Sequence, residues 1–226
     1  ECGPIICSSR WETLKLASCG KATSRMEVRI DSPDPKTHAG EIVCRGMNMM
    51  LGYYKNPEAT AQIIDANGWL HTGDLGYLHP DGWLYVLGRF KSLLIANDGE
   101  KYSPEGIEET IAEQSKYIDS CILYNNQSPY TVGLIVPNKM ALREYMEKQN
   151  IEPDSMDAYR VMLKKIQGEL MAYRVGGKHA HLFPERWLPA VVAVLPEVLS
   201  EQNGMINSTM KVVRAKVYDR FKEEID

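Results

Sequence analysis

The feature that most constrains the fold is a change of pattern close to residue 89. Up to residue 88 the chain consists of short apolar segments separated by turn residues, and Pro80-Asp81-Gly82 is typical of a hairpin turn. After Gly88-Arg89-Phe90-Lys91, segments with helical spacing alternate with β-rich runs. The chain is therefore predicted to be α+β, with a small β-barrel-like region over 1–88 and a compact α+β domain over 89–226.

Individual elements follow from the same patterns. Strands are predicted in the first region over 26–30, 41–45, 69–72, 75–78 and 84–87. The second region is predicted to hold strands over 118–124, 131–136 and 190–195 and helices over 140–148, 159–173 and from 103 to 114, with a last helix marked by Val213, Val217 and Phe221. Ser103 and Pro104 are interpreted as an N-cap and first-turn pair. The glutamates around this pair, Glu100, Glu105, Glu108 and Glu109, are expected to be a solvated helix start that favours the helix dipole.

Composition excludes several classes of protein. Lys and Arg number 26 against 30 Asp and Glu, and the net charge of −4 gives no basic field that would attract nucleic acid. No apolar run approaches the roughly 18 to 20 residues that a membrane span needs. The chain opens without a methionine, so a fragment of a longer protein is expected. An odd set of cysteines without a Cys-x-x-Cys pair argues against a disulfide framework and a zinc site and favours the reducing cytoplasm: Cys2, Cys7, Cys19, Cys44 and Cys121.

Four segments stand out together. They are Gly40-Glu41-Ile42-Val43-Cys44-Arg45-Gly46 with Gly52-Tyr53-Tyr54 behind it, Gly68-Trp69-Leu70-His71-Thr72-Gly73-Asp74, the segment from Asp81 to Arg89, and the segment from Asn97 to Glu108. In order and spacing they resemble the adenylate-forming (AMP-binding) superfamily of acyl-CoA synthetases, luciferases and peptide-synthetase adenylation domains. Several residue roles follow from this resemblance.

The resemblance gives Asp74 and Arg89 contacts to the nucleotide. A carboxylate can accept hydrogen bonds from the two vicinal hydroxyls of a ribose, and a fixed guanidinium suits a ribose or a phosphate. The simpler interpretations are a turn aspartate and a surface arginine in a salt bridge. Lys91 matches the hinge residue about which the small domain turns. Gly99 lies in the loop that lines the pantetheine channel, although a glycine required for a positive φ explains the residue equally well.

Two more positions complete the predicted site. The segment Asn203-Gly204-Met205-Ile206-Asn207-Ser208-Thr209-Met210-Lys211 resembles the last motif of the long-chain branch, so Lys211 matches the catalytic lysine. Its ammonium would offset charge that builds at the α-phosphate during adenylation. Asn207-Ser208 replaces the usual Thr-Pro and leaves the stiffness of this loop open. Glu1 resembles the end of a family segment whose glutamate helps to hold magnesium.

The resemblance implies the C-terminal portion of an ATP-dependent long-chain fatty acid–CoA ligase. The full-length enzyme would use ATP, Mg²⁺ and coenzyme A, and a peripheral membrane contact would serve its fatty acid substrate. The portion alone is expected to be inactive, because it shows no Ser/Thr/Gly-rich phosphate loop. Two alternatives stay open: a ligase that transfers the acyl group to an acyl carrier protein, and a non-catalytic interaction module.

Overall fold

The computed structural model describes residues 1–3, 5–152 and 155–225, with the backbone alone at Met156. The chain divides into two compact units, residues 1–92 and 93–226. No helix in the described ranges combines the length and the apolar character needed to cross a bilayer.

Unit 1 is built on one antiparallel sheet of six strands in the order β1-β2-β6-β5-β4-β3. A short helix, α1, and two 3-10 turns accompany the sheet, and Asn56 caps α1 by accepting a hydrogen bond from Ala59 N–H. The elements are β1 Cys7–Ser8, the turn Trp11–Thr13, β2 Gly20–Ala22, β3 Met26–Asp31, β4 Gly40–Gly46, α1 Pro57–Ile63, β5 Leu70–Leu78, β6 Trp83–Arg89 and the turn Phe90–Ser92.

The structure confirms a β-rich first region but shows that its sheet is open, so the expected barrel-like closure is wrong. Within the described residues, β1 and β3 are the two edges. Closing a barrel requires a continuous ladder between the edges. β1 offers only two residues to such a ladder, which is too few.

The hairpin β5–β6 is the part of unit 1 that matters most for the predicted site. Its turn is the predicted one: Gly82 N–H donates to His79 O at 2.8 Å. The two strands predicted over 69–72 and 75–78 are a single strand, β5. Gly73, with a φ of +71°, lets the backbone continue through a segment that reads as a turn in the sequence.

Unit 2 contains two sheets of three strands, in the orders β10-β7-β8 and β12-β11-β9. In the second sheet, β11 is parallel to β12 and antiparallel to β9. The elements are β7 Leu94–Ala96, β8 Lys101–Tyr102, α2 Glu105–Gln114, β9 Ile118–Tyr124, β10 Asn126–Ser128, β11 Thr131–Pro137, α3 Lys139–Lys148, α4 Met156–Met171, the 3-10 turn Glu185–Trp187, β12 Pro189–Val194, α5 Arg214–Arg220 and α6 Lys222–Ile225.

The sheet β12-β11-β9 separates two apolar cores, because successive side chains on a strand point to opposite faces. One face carries Leu123 and Ile135, which pack with Leu94, Tyr102 and side chains of α2 and α4, among them Ile107, Ile111 and Ile166. The other face carries Ile122 and Leu134, which pack with Met205, Val217 and Phe221. β11 is buried along its whole length.

Most predicted elements of unit 2 are confirmed, and β9 agrees residue for residue. The N-cap prediction is wrong: Pro104 is the N-cap of α2, and the Ser103 hydroxyl donates to the Glu105 carboxylate instead of capping the helix. That local bond satisfies the hydroxyl, so the helix begins one residue later. The helix predicted over 159–173 is α4, Met156–Met171, which begins and ends a few residues earlier than predicted.

Candidate functional site

Asp74 and Arg89 face each other across the hairpin β5–β6. They are directly opposed in the strand register. Arg89 Nε lies 3.1 Å from Asp74 Oδ1, and the side chains keep 53% and 34% of their exposure. This is the salt bridge that the simpler interpretation of Arg89 predicts. Because both side chains are still accessible, the pair also presents an acceptor and a donor side by side, which matches what a nucleotide sugar requires. The nucleotide role of both residues stays a prediction.

The backbone around Asp74 is held by side chains that are distant in sequence. The Thr72 hydroxyl donates to Ile42 O at 2.8 Å and accepts from Asp74 N–H at 3.1 Å. Glu41 uses both carboxylate oxygens: one accepts from Gly73 N–H at 3.0 Å, and the other lies 2.8 Å from His71 Nδ1. The segment from His71 to Asp74 is therefore fixed to β4. The sequence places Glu41 in one of the four family-like segments, but no role was predicted for it.

Glu1, the predicted magnesium ligand, lies beside another of the family-like segments. Its carboxylate accepts a hydrogen bond from the Tyr53 hydroxyl at 2.6 Å. That bond, with a smaller contribution from burial, raises the pKa of Tyr53. In the part of the chain that the structure describes, no group of three or more His, Cys, Asp or Glu side chains could hold a metal ion. The magnesium role of Glu1 stays a prediction.

Lys91 and Gly99 lie on either side of the division between the units. Lys91 is exposed in the 3-10 turn Phe90–Ser92, at the end of unit 1. Gly99 is in the turn that joins β7 to β8, has a φ of +83°, and donates its N–H to Ala96 O at 2.9 Å. The positive-φ explanation of this glycine is confirmed. The hinge role of Lys91 and the pantetheine role of Gly99 stay predictions.

The Gly99 turn is anchored by the residue that follows it. Glu100 receives two hydrogen bonds from Arg186, at 2.5 and 2.6 Å, and a third from Trp187 Nε1 at 3.0 Å. Trp187 in turn stacks on Tyr102, with ring centroids 5.3 Å apart and planes 4° apart. The Gly99 turn is therefore held in place, because Glu100 links its flanking strands to the 185–187 turn.

Lys211, the predicted catalytic lysine, is exposed at the end of a short loop just before α5. Its N–H donates to Asn207 Oδ1, and its carbonyl accepts from Asn207 N–H, each at 2.9 Å. The nearby side chains of Met205 and Val217 are buried, whereas Lys211 is exposed. A lysine presented in this way can reach a ligand, and its catalytic role stays a prediction.

Sequence reasoning was wrong about Glu108. The structure places it in a nearly buried ion pair with Arg214, whose Nη1 donates to Glu108 Oε1 at 2.8 Å, with side chains only 10% and 16% exposed. It is therefore not part of a solvated helix start. The only signal in the sequence was its helical spacing beside Ile107 and Ile111, which places it close to the apolar face.

Comparison with known sequences finds ligases of fatty acids. No family model matches the chain. A probable acyl-activating enzyme of the Arabidopsis thaliana chloroplast is 30% identical over 241 residues, covering 100% of this chain and 32% of the relative. A long-chain fatty acid–CoA ligase of Bos taurus is 28% identical over 99% of this chain and 32% of its own length. A chloroplastic long-chain fatty acid–[acyl-carrier-protein] ligase of Arabidopsis thaliana is 28% identical over 100% and 31%. The chain spans about a third of the length of these relatives.

Comparison with solved structures finds adenylation domains. The adenylation domain of a carboxylate reductase from Mycobacterium chelonae superposes with a TM-score of 0.71 at 24% identity, over 89% of this chain and 30% of that one. The corresponding domain from Segniliparus rugosus, solved with AMP and a carboxylic acid, gives 0.67 at 21% identity, over 91% and 32%. These structures share the α+β fold of this chain. Over its whole length the chain is therefore similar to long-chain fatty acyl ligases, and its structural neighbours are adenylation domains of the adenylate-forming (AMP-binding) superfamily.

Proposed function

We propose that this chain is the C-terminal portion of an ATP-dependent long-chain fatty acid–CoA ligase. The observation that carries the proposal is its similarity, over the whole chain, to ligases of long-chain fatty acids. The partly exposed pair Asp74–Arg89 and the exposed Lys211 supply side chains of the kinds that the two steps of such a reaction need.

In the whole enzyme, a carboxylate oxygen of the fatty acid attacks the α-phosphorus of ATP. A new P–O bond forms, the bond to pyrophosphate breaks, and the product is an acyl-adenylate. The thiol of coenzyme A then loses its proton and attacks the acyl carbonyl carbon. A C–S bond forms, and AMP leaves with the electrons of the broken C–O bond.

The residues of this chain divide between the two steps. Asp74 would accept hydrogen bonds from the ribose hydroxyls, and Arg89 would hold Asp74 in place and face the nucleotide. Lys211 would place its ammonium at the α-phosphate, where negative charge builds in the transition state of adenylation. Unit 2 would turn about Lys91 between the steps, so that the Gly99 turn replaces Lys211 for acyl transfer.

Magnesium fits this arrangement with one ligand from the chain. Mg²⁺ in nucleotide sites is commonly held by one or two carboxylates together with substrate phosphates. Glu1, whose carboxylate is exposed and oriented by Tyr53, would be that carboxylate. Bound Mg²⁺ would neutralise negative charge on the phosphates of the nucleotide. We propose the cytoplasm as the location, on the basis of cysteine usage. The isolated chain, which shows no Ser/Thr/Gly-rich phosphate loop, is proposed to be inactive alone.

A second candidate is a ligase that delivers the acyl group to an acyl carrier protein. One of the relatives with full coverage of this chain is such an enzyme by name. Both acceptors present a pantetheine thiol, so the Gly99 turn would serve either. Assay of the full-length enzyme with coenzyme A and with a pantetheine-loaded carrier protein separates the two candidates.

The test of the proposed function is Lys211→Ala in the full-length enzyme. Adenylation should slow by roughly a hundredfold or more, on the scale of losing one preorganised charge. Transfer from preformed acyl-adenylate to coenzyme A should stay near the wild-type rate. Lys148→Ala, which removes another exposed lysine of unit 2, is the matched control and should leave both steps unchanged. Equal losses in both steps of a folded Lys211→Ala enzyme would refute the assignment.

A further inference from the structure

The loop that carries Lys211 is a small hairpin with a fixed base. Ile206 and Val212 form an antiparallel bridge. Below that bridge, Val213 N–H donates to Met205 O at 2.8 Å, and the Met205 side chain is buried in the core. The five residues from Asn207 to Lys211 close the hairpin above this base. The position of Lys211 therefore depends on how those five residues are held.

The side chain of Asn207 closes the loop. Its Oδ1 accepts three hydrogen bonds: from Thr209 N–H at 3.0 Å, from the Thr209 hydroxyl at 2.8 Å, and from Lys211 N–H at 2.9 Å. Three donors that converge on one atom identify that atom as the amide oxygen. Asn207 is exposed, and these bonds stay inside the loop, so they add nothing to the packing of the core.

The backbone next to Lys211 is held in a conformation that side chains rarely adopt. Met210 has a φ of +60°, in the left-handed region that favours glycine. Its N–H donates to Asn207 O at 2.9 Å, so residues 207–210 form a turn whose last residue, Met210, is left-handed. Hairpin loops of this length commonly place a glycine at that position. A methionine stays there only when surrounding bonds hold it, and the bonds available are those of Asn207.

We propose that Asn207 is a positioning residue for Lys211: its carboxamide holds the left-handed Met210 in place and thereby fixes the direction in which the lysine leaves the loop. The inference rests on the proposed function of Lys211. It also explains the departure from the usual Thr-Pro at positions 207 and 208. A proline would stiffen the backbone by its ring. Here, three hydrogen bonds to the Asn207 side chain stiffen the backbone instead.

The test uses the full-length enzyme with three single variants. Asn207→Ala should lower kcat for acyl-adenylate formation roughly tenfold, because a small displacement of a catalytic group has a large effect on rate. KM for ATP should change less than about twofold, and acyl transfer from preformed adenylate should be unchanged. Asn207→Asp keeps the accepting oxygen and should recover adenylation to within about threefold of wild type. Ser208→Ala, the matched control in the same loop, should have no effect.

A double-mutant cycle shows whether Asn207 acts through the lysine. In the Lys211→Ala background, Asn207→Ala should cost nothing further. Independent losses that multiply in the double variant would overturn the proposal, as would wild-type kcat in Asn207→Ala or failure of Asn207→Asp to recover. If Lys211→Ala itself adenylates normally, the proposed function fails. If Lys211→Ala is slow while Asn207→Ala is fast, only the positioning role fails.

Discussion

Glu108 and Arg214 pair across the open edge of β9. Arg214 Nη1 donates to Glu108 Oε1 at 2.8 Å, and the second guanidinium nitrogen binds the other carboxylate oxygen. At the same edge, Glu108 accepts from Leu123 N–H, and the Tyr218 hydroxyl donates to Leu123 O at 2.8 Å. Side chains of α2 and α5 thus satisfy both backbone groups of an edge residue. This covers an edge that would otherwise offer pairing sites to another strand.

The first prediction concerns this ion pair. Arg214→Met in the 226-residue chain removes the guanidinium and leaves the Glu108 carboxylate nearly buried without its cation. We expect the free energy of unfolding to fall by about 3 kcal/mol, the scale for breaking a buried pair. Urea denaturation followed by tryptophan fluorescence measures this change. The double variant Glu108→Gln, Arg214→Met removes both charges and should be less destabilised than Arg214→Met alone.

The pH dependence of the stability of Arg214→Met provides a control for this first prediction. Burial raises the pKa of Glu108, and the hydrogen bond and charge of Arg214 act against that rise. Without Arg214 the folded-state pKa should lie still higher above the unfolded value. A raised carboxylate pKa means that the folded state binds the proton more tightly, so Arg214→Met should lose stability as the pH rises through that value. A single variant whose stability loss is the same at pH 5 and pH 8 would contradict this explanation.

The second prediction separates the two roles of Gly99. Gly99 and Gly176 have φ values of +83° and +87°, and among the described residues a Cβ at either position would meet no heavy atom within 4 Å. Alanine at either position should therefore cost about 1 kcal/mol through backbone strain alone. In the full-length enzyme, we expect only Gly99→Ala to slow acyl transfer to coenzyme A. A methyl group at position 99 would narrow the channel that the pantetheine of coenzyme A must enter. Stopped-flow transfer assays that give equal rates for the two variants would rule out that role.

The third prediction concerns Glu100 and acid. The hydrogen bonds from Arg186, and then the one from Trp187, lower the pKa of Glu100 below its ordinary value of 4.5. A lowered carboxylate pKa contributes stability that is present above the unfolded pKa and is lost as the pH falls through the folded one. Glu100→Gln should cost roughly 1 kcal/mol at pH 7, and the cost should shrink as the pH falls below about 4.5. Denaturation curves at several pH values measure it.

A neighbouring acid supplies the comparison for Glu100. Glu185 also pairs with an arginine, Arg174, but at 3.2 Å and with half of its side chain exposed. Glu185→Gln should therefore change stability less than Glu100→Gln at pH 7. The reverse order would show that the anchoring of the Gly99 turn depends on packing by Trp187 rather than on the carboxylate.

Local features were predictable from the sequence because they depend on short-range chemistry. β9 follows from a compact run of β-branched and apolar residues, and the β5–β6 hairpin from Pro80-Asp81-Gly82. Helix α1 carried a readable signal that was missed: Asn56 before Pro57 is a typical N-cap and first-turn pair. The strands of two or three residues gave no periodic pattern long enough to detect.

Long-range features were not predictable in the same way. Glu108 reads as a solvated helix residue until its partner is known, and that partner lies 106 positions further along the chain. Closure of the first sheet likewise depends on which edge strands can reach each other. For the site, the sequence named Asp74 and Arg89, but only the register of the hairpin shows that they are opposed. The roles of Lys211 and Gly99 came from family resemblance, and their supports, Asn207 and Glu100, became visible only in the structure.

The two cores of unit 2 have a consequence for how this protein can change over evolution. The strands that flank the Gly99 turn pack on one face of the β12-β11-β9 sheet, through Leu94 and Tyr102. The hairpin that carries Lys211 is rooted on the other face, through Met205. The buried strand β11 lies between the two cores and separates the contacts of one from those of the other. Mutations beneath one loop can therefore accumulate without disturbing the packing beneath the other, so the two loops are free to vary separately.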